Sequence, residues 1–167
     1  RRASPSIVDL AESARSTIEG LARRAASRDV QIALEADPEA PLAWADGDRI
    51  AQVLVNLLDN ATKFSHAGGV VTVHVDRDGD GVRVSVHDTG IGISSDDLPQ
   101  IGQRFYRADK ARSRRRVQAG SRADGGPSGS GLGLSIATAL VEAHGGTLRI
   151  TSEEGRGTTV TFTLPGA

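Results

Sequence analysis

Three polar residues with helical spacing, Asn56, Asn60 and Lys63, are the first candidates for chemistry in this chain. Positions i, i+4 and i+7 lie on one face of an α-helix, because each residue turns the helix by about 100°. An asparagine oxygen suits magnesium, which is usually held by few protein ligands plus substrate phosphates, and a lysine ammonium attracts anions. The trio can therefore hold a metal ion and phosphates together, although a solvated helix face would explain these three residues about equally well.

Two glycine-rich segments could complete such a site. The first, residues 88–93, begins with Asp88 at the end of a predicted strand, and its glycines let the backbone come close to a flat ligand. A carboxylate only accepts hydrogen bonds, so Asp88 could read an amino group such as that of adenine. The second, residues 129–134, opens a predicted helix, whose free N–H groups attract phosphate. Taken singly, each segment is also compatible with an ordinary turn or a flexible helix cap.

Composition narrows the class of protein. The 167 residues contain no cysteine, which excludes disulfides and thiolate metal sites, and no apolar run long enough for a transmembrane helix or signal peptide. Twenty basic and twenty-one acidic residues give a net charge of −1, which argues neither for nor against nucleic acid or membrane. The twenty glycines, about 12% of the chain against a usual ~7%, lie mostly in the second half.

Hydrophobic periodicity predicts the elements that position these residues. Apolar residues spaced by threes and fours predict helices over residues 7–27, from Asp46 or Asp48 to 64, and over 132–144, the last capped by Gly145-Gly146. Alternating residues predict strands near 30–34, 71–75, 82–86, 147–151 and 158–164, with a hairpin at the Asp-Gly pairs of 76–81. Residues 94–101 could form a short helix, and 107–130 have no apolar period, as in a mobile loop. The pattern favours an α+β two-layer sandwich.

In this order, the motifs resemble the nucleotide-binding domain shared by sensor histidine kinases, type II topoisomerases, Hsp90 chaperones and mismatch-repair ATPases. The histidine kinases are the most similar. Residues 56–64 match their asparagine box, residues 104–107 their phenylalanine box and residues 155–158 their last glycine box, within a resemblance that runs from about 46 to 165. It implies the Bergerat fold, a two-layer α/β sandwich whose mixed, mostly antiparallel sheet packs against helices.

The resemblance also implies ATP and magnesium as cofactors and a role for each matching residue. Asn60 would bind magnesium, Asn56 and Lys63 would face the phosphates, Asp88 would receive the adenine amino group, and Arg107 would reach the γ-phosphate. The catalytic set is thus Asn56, Lys63 and Arg107. The other residues expected to contact the nucleotide are Phe64, Gly90, Gly92, Ile93, Gly129, Gly131, Leu132, Gly133, Leu134 and Thr158.

One position separates transferases from hydrolases. The hydrolases of this superfamily carry a glutamate general base where this chain has Asn56, and an amide cannot take a proton from water. We therefore expect a histidine kinase that transfers phosphate to a histidine on a separate dimerisation domain. None of the four histidines here has the expected acceptor motif, and His144 is expected to be a cation at a helix C-terminus. Alternatives are a serine kinase of the anti-sigma-factor type, a non-catalytic nucleotide-binding module and, disfavoured by Asn56, an ATPase clamp.

The whole chain, residues 1–167, is thus expected to be one catalytic domain, monomeric in isolation, from a longer two-component kinase. Its expected partners are the histidine-bearing dimerisation domain and a response regulator, but not nucleic acid. We expect a cytoplasmic domain of a bacterial sensor that reaches the membrane only through other parts of the protein. The lid over residues 107–130 carries seven basic and two acidic side chains, a net of +5. This charge either keeps the lid solvated or attracts ATP or an acidic partner.

Overall fold

The structure is a computed structural model that describes residues 4–92 and 130–167, with backbone alone for residues 130–132. Within these ranges the chain forms three helices and seven strands. In chain order they are β1 (Pro5–Val8), α1 (Leu10–Ser27), β2 (Gln31–Ala36), β3 (Ala43–Asp46), α2 (Gly47–Phe64), β4 (Val70–Asp78), β5 (Gly81–Asp88), α3 (Ser130–Ala143), β6 (Thr147–Glu153) and β7 (Gly157–Leu164). No helix in the described ranges is both long and apolar enough to span a bilayer.

Five strands form the main sheet, in the order β2-β4-β5-β7-β6. β2 and β4 are parallel, and the other neighbouring pairs are antiparallel. The predicted hairpin is confirmed, because β4 and β5 pair up to Asp78 and Gly81 and leave a two-residue loop. The mixed, mostly antiparallel sheet expected from the resemblance is therefore present.

The core lies between one face of this sheet and the helices. Alternate residues of the central strands are buried, so that Val84 of β5 lies opposite Phe162 of β7 and both are fully buried. The apolar stripe of α2 packs on this face, and α1 and α3 flank α2. Ile50, Val53, Leu54, Leu57 and Leu58 supply that stripe. The two-layer sandwich predicted from the sequence is confirmed.

α2 begins where the sequence placed it. The Asp46 carboxylate accepts hydrogen bonds from the backbone N–H groups of Asp48 and Arg49 and caps the helix. The N–H of Ser4 also donates to Asp46 and, with the two cap bonds, holds the pKa of this carboxyl below its usual range. The capped helix then runs to Phe64, so that the polar trio sits in its second half.

The N-terminal segment differs from the prediction. Residues 5–8 form β1, which pairs with the unpredicted strand β3, and α1 begins only at Leu10. Asp9 caps α1 through its carboxylate, which accepts from the N–H groups of Ala11 and Glu12 and so ends the strand. Ile7 matched the helical period by coincidence, since its side chain is 62% exposed. β3 escaped prediction because it has only four residues and no extended alternation.

α3 starts earlier than predicted. Its first residue is Ser130, which the sequence had assigned to the lid, rather than Leu132. The helix ends at Ala143, and the N–H groups of Gly145 and Gly146 cap it by donating to the carbonyls of Glu142 and Val141, as predicted. The predicted short helix at 94–101 and the lid up to residue 129 lie outside the described residues.

His144 is not the helix-end cation that the sequence suggested. The backbone N–H of Asp46 donates to its Nε2 at 3.1 Å, so this nitrogen carries no proton. Nδ1 lies 2.7 Å from the carbonyl oxygen of Leu140 and must be the protonated nitrogen. A neutral imidazole therefore joins the end of α3 to the start of α2.

Candidate functional site

The polar face of α2 meets the beginning of α3. The amide nitrogen of Asn56 donates to the carbonyl oxygen of Gly133 at 3.5 Å. The Asn60 Nδ2 is buried, lies 3.7 Å from where a Cβ on Gly133 would stand, and has no hydrogen-bond partner in the part of the chain that the structure describes. A buried amide without a partner costs about 1–3 kcal/mol, so this side chain is poised for a ligand.

Asn60 also suits a magnesium ion by its chemistry. A half-turn of its amide group puts a neutral carbonyl oxygen where the nitrogen stands, and oxygen is the ligand that magnesium takes. In the described residues no cluster of three histidine or acidic side chains could hold a metal ion. A site with one asparagine oxygen would therefore rely on phosphate oxygens and water for its other ligands.

Lys63 lies one turn beyond Asn60 and is already paired. Its Nζ is 3.3 Å from Oδ2 of Asp59, and its side chain is 27% exposed. Phe64 follows at the end of α2, and its carbonyl oxygen accepts a hydrogen bond from the N–H of Ile91 at 3.1 Å. The end of α2 is thus tied directly to the glycine-rich turn after β5.

Asp88 ends β5 as predicted, with 4% of its surface exposed. Burial raises the pKa of this carboxyl, and hydrogen bonds from the backbone N–H groups of Gly90 and Thr158 offset part of the rise. The Gly90 bond is 2.9 Å long and reaches Oδ1. A carboxylate has about four acceptor positions, so Asp88 can accept further hydrogen bonds from a ligand.

The turn after Asp88 leaves no room for a side chain at Gly90 or at Gly92. A Cβ on Gly90 would collide with the carbonyl oxygen of Phe64, and one on Gly92 with that of Glu153. The N–H of Gly155 donates to the carbonyl of Ile91 at 2.7 Å. The turn is therefore held between the end of α2 and the β6–β7 connection.

Thr158 lies beside Asp88 in the register of β5 and β7. The hydroxyl of Ser152 donates to the carbonyl of Gly157 at 2.8 Å and lies 2.7 Å from Oγ1 of Thr158. Because the single proton of Ser152 is already used, Thr158 donates its own to Ser152, and its remaining lone pairs can only accept. Ser152 was not among the predicted site residues, because only the pairing of β6 with β7 places it opposite Thr158.

The structure brings several predicted site residues into one region of the fold. α2 supplies Asn56, Asn60, Lys63 and Phe64; the turn after β5 supplies Asp88, Gly90 and Gly92; α3 and β7 supply Gly133 and Thr158. Gly131 and Leu132 lie in the first turn of α3, whereas the side chain of Leu134 is buried in the hydrophobic core. Ile93, Arg107 and Gly129 lie outside the described residues. The individual ligand contacts stay predictions.

The sequence has relatives that match this arrangement. Residues 45–167 match the family described as "Histidine kinase-, DNA gyrase B-, and HSP90-like ATPase". The chain belongs to this family. The match begins at the residue before the Asp46 cap and extends through both glycine-rich segments and the last two strands, so the family's domain includes every element that forms the candidate site.

Several of the similar curated proteins are sensor kinases. The chain is 46% identical over 122 residues to the sensor histidine kinase WalK of Bacillus subtilis. This alignment covers 72% of this chain and 18% of WalK. It is 36% identical over 149 residues to the adaptive-response sensory kinase SasA of Synechococcus elongatus. This second alignment covers 89% of this chain and 35% of SasA. The chain thus spans only about a fifth to a third of these relatives.

Solved structures of histidine kinases share the fold. Full-length ShkA in complex with AMPPNP superposes with a TM-score of 0.80 at 32% identity, over 100% of this chain and 32% of that one. The mycobacterial sensor histidine kinase MprB superposes with a TM-score of 0.76 at 28% identity, over 98% of both chains. The architecture around the site is therefore that of a histidine kinase catalytic domain.

Proposed function

We propose that this domain binds ATP with magnesium and transfers the γ-phosphate to a histidine on the dimerisation domain of a two-component sensor kinase. The observation that carries the proposal is the buried amide nitrogen of Asn60, which has no partner in the described residues and faces the start of α3. Membership of the ATPase family and the AMPPNP complex of ShkA support ATP as the ligand.

Each described residue would act by binding and positioning. Asp88 would accept the adenine amino group, and Thr158 beside it would offer an acceptor. Asn60 would hold magnesium, which supplies positive charge to the phosphate oxygens when bound. Lys63 would hold the phosphates from the same face of α2, and the first N–H groups of α3 would point toward them. Arg107, outside the described residues, would reach the γ-phosphate.

Asn56 supports phosphate transfer rather than hydrolysis. Its amide nitrogen donates to the Gly133 carbonyl, and an amide is too weak a base to activate water. The nucleophile would be the acceptor histidine, brought in by the partner domain. The chain would contribute orientation of the two reactants and charge neutralisation.

A phosphotransfer assay tests this function. The domain is incubated with labelled ATP and either the histidine-bearing dimerisation domain of its own kinase or an anti-sigma antagonist. We expect acid-labile, base-stable phosphate on the dimerisation domain. Acid-stable phosphate on the antagonist would support a serine kinase instead. ATP binding without transfer to either protein would support a non-catalytic module.

The relatives also support a cellular location and a downstream partner for the domain. WalK and SasA are sensory kinases of two different bacteria. We propose that the domain works on the cytoplasmic side of such a sensor, and that the histidine phosphate passes to a response regulator.

A further inference from the structure

Asp59 lies on α2 beside the polar trio and forms ion pairs with three basic side chains. Its Oδ2 lies 3.3 Å from Nζ of Lys63. Its Oδ1 lies 3.2 Å from Nη1 of Arg24 and 3.1 Å from Nη1 of Arg28, both of which come from α1 and its C-cap. The two oxygens thus have separate tasks, one toward α1 and one toward Lys63.

Arg28 holds this carboxylate in place. Its Nη1 also lies 2.6 Å from the hydroxyl of Thr62, which is 3% exposed, and 3.4 Å from the backbone carbonyl of Asp59. The Thr62 hydroxyl in turn donates to the carbonyl of Asp59 at 3.0 Å. Because several bonds meet at one guanidinium, the carboxylate cannot turn without breaking them, and Oδ2 stays directed at Lys63.

Both oxygens of the Asp59 carboxylate face cations, with Arg24 and Arg28 at Oδ1 and Lys63 at Oδ2. With two guanidinium groups on Oδ1, the negative charge is already compensated, so Asp59 repels a nearby phosphate only weakly.

We infer that Asp59 is a positioning residue, which holds the Lys63 ammonium on the phosphate-binding face of α2. The inference rests on the proposed function, which places Lys63 at the phosphates. An ammonium has three donors, and Asp59 occupies one, leaving the others for phosphate oxygens. A long lysine side chain loses much rotamer freedom on binding, and a side chain already held in place has less left to lose.

The test compares ATP with adenosine, which carries the same base and no phosphates. For Asp59→Asn we expect about tenfold weaker ATP binding and unchanged adenosine binding, measured by calorimetry. Asparagine keeps an acceptor for Arg28 but places an NH₂ donor where Lys63 needs an acceptor. A purely structural role would weaken both ligands together.

Three further variants test whether Asp59 affects ATP binding through Lys63. In a Lys63→Met background, Asp59→Asn should have less than about a twofold effect on ATP binding, because the ammonium is gone. Asp59→Glu, which keeps the charge, should restore most of the preference for ATP over adenosine. Arg24→Ala, which removes an exposed cation from Oδ1 alone, should leave both affinities within about twofold of the original.

The inference and the proposed function fail separately. If the unaltered domain does not bind ATP, the proposed function is wrong. If it binds ATP and Lys63→Met weakens binding, but Asp59→Asn does not, or strengthens it, then Asp59 does not position Lys63. An equal effect of Asp59→Asn with and without Lys63 would likewise overturn the inference.

Discussion

Asp88→Asn is expected to weaken ATP binding by about a hundredfold or more without unfolding the domain. The buried carboxylate accepts hydrogen bonds only, as an adenine amino group requires, whereas asparagine turns one of the two oxygens into a donor. Two donors then face each other at a buried position, where neither has an acceptor. The remaining amide oxygen can still accept from the N–H of Gly90, so the turn keeps its hydrogen bond. Calorimetric titration with ATP measures the loss.

Guanine provides a sharp control, because it carries an acceptor where adenine carries the amino group. The ratio of GTP to ATP affinity should therefore rise in Asp88→Asn. Asp80→Asn, the same change in the exposed β4–β5 hairpin, should leave ATP binding unchanged. An Asp88→Asn variant that binds ATP as well as the original would show that Asp88 does not read adenine.

The same substitution should not destabilise the domain at neutral pH. Because burial raises the pKa of Asp88, the folded chain binds the proton of this carboxyl group more tightly than the unfolded chain does. The contribution of protonated Asp88 to stability is complete below the ordinary pKa of 3.8. It is lost as the pH rises through the higher pKa that Asp88 has in the folded chain. Asparagine does not titrate, so the Tm of Asp88→Asn relative to the original should be higher at pH 7 than near pH 4. The opposite trend would contradict the raised pKa.

Gly92→Ala should lower the free energy of unfolding by about 2–4 kcal/mol and abolish tight ATP binding. Gly92 has a φ of +71°, and a Cβ there would collide with the carbonyl oxygen of Glu153, which belongs to the backbone of β6 and cannot rotate away. To make room, the turn that follows Asp88 must move away from β6. Urea denaturation and ATP titration on the same sample measure both effects.

Gly155→Ala is the matched control. Gly155 has a similar φ of +84°, but a Cβ there would meet nothing within 4 Å. This variant should cost only the backbone strain of about 1–2 kcal/mol and should keep ATP binding. Equal losses for the two variants would mean that the close approach of Gly92 to β6 contributes nothing beyond its backbone conformation.

Long periodic segments made much of the fold predictable. The apolar period of α2, its Asp46 cap and the alternating valines of β4 and β5 each specify an element with little help from distant residues. β1 and β3 were missed because each is only four residues long and exists through pairing with the other. Such pairing depends on contacts about forty residues apart, which no local pattern contains.

Among the site residues, too, local spacing predicted some positions, whereas contacts between distant parts of the chain determine the others. The spacing of Asn56, Asn60 and Lys63 predicted their common helix face, and Asp88 was placed correctly at a strand end. Their meeting with Gly133 and Thr158 followed only from the resemblance. The neutral state of His144 could not be predicted, because the N–H of Asp46 that defines it lies 98 residues away in the sequence. The Asp59–Lys63 pair was not predicted, although its i, i+4 spacing lies within the asparagine box.

The most direct test of the proposed ATP and magnesium site is magnesium-dependent ATP binding by calorimetry, compared between the unaltered domain and Asn60→Ala. Gln52→Ala, which removes an exposed amide from the same helix, serves as the control. We expect magnesium to strengthen ATP binding in the unaltered domain and in Gln52→Ala. Asn60→Ala should lose this dependence, because its metal-binding oxygen is gone. Undiminished magnesium-dependent binding in Asn60→Ala would contradict the assigned site.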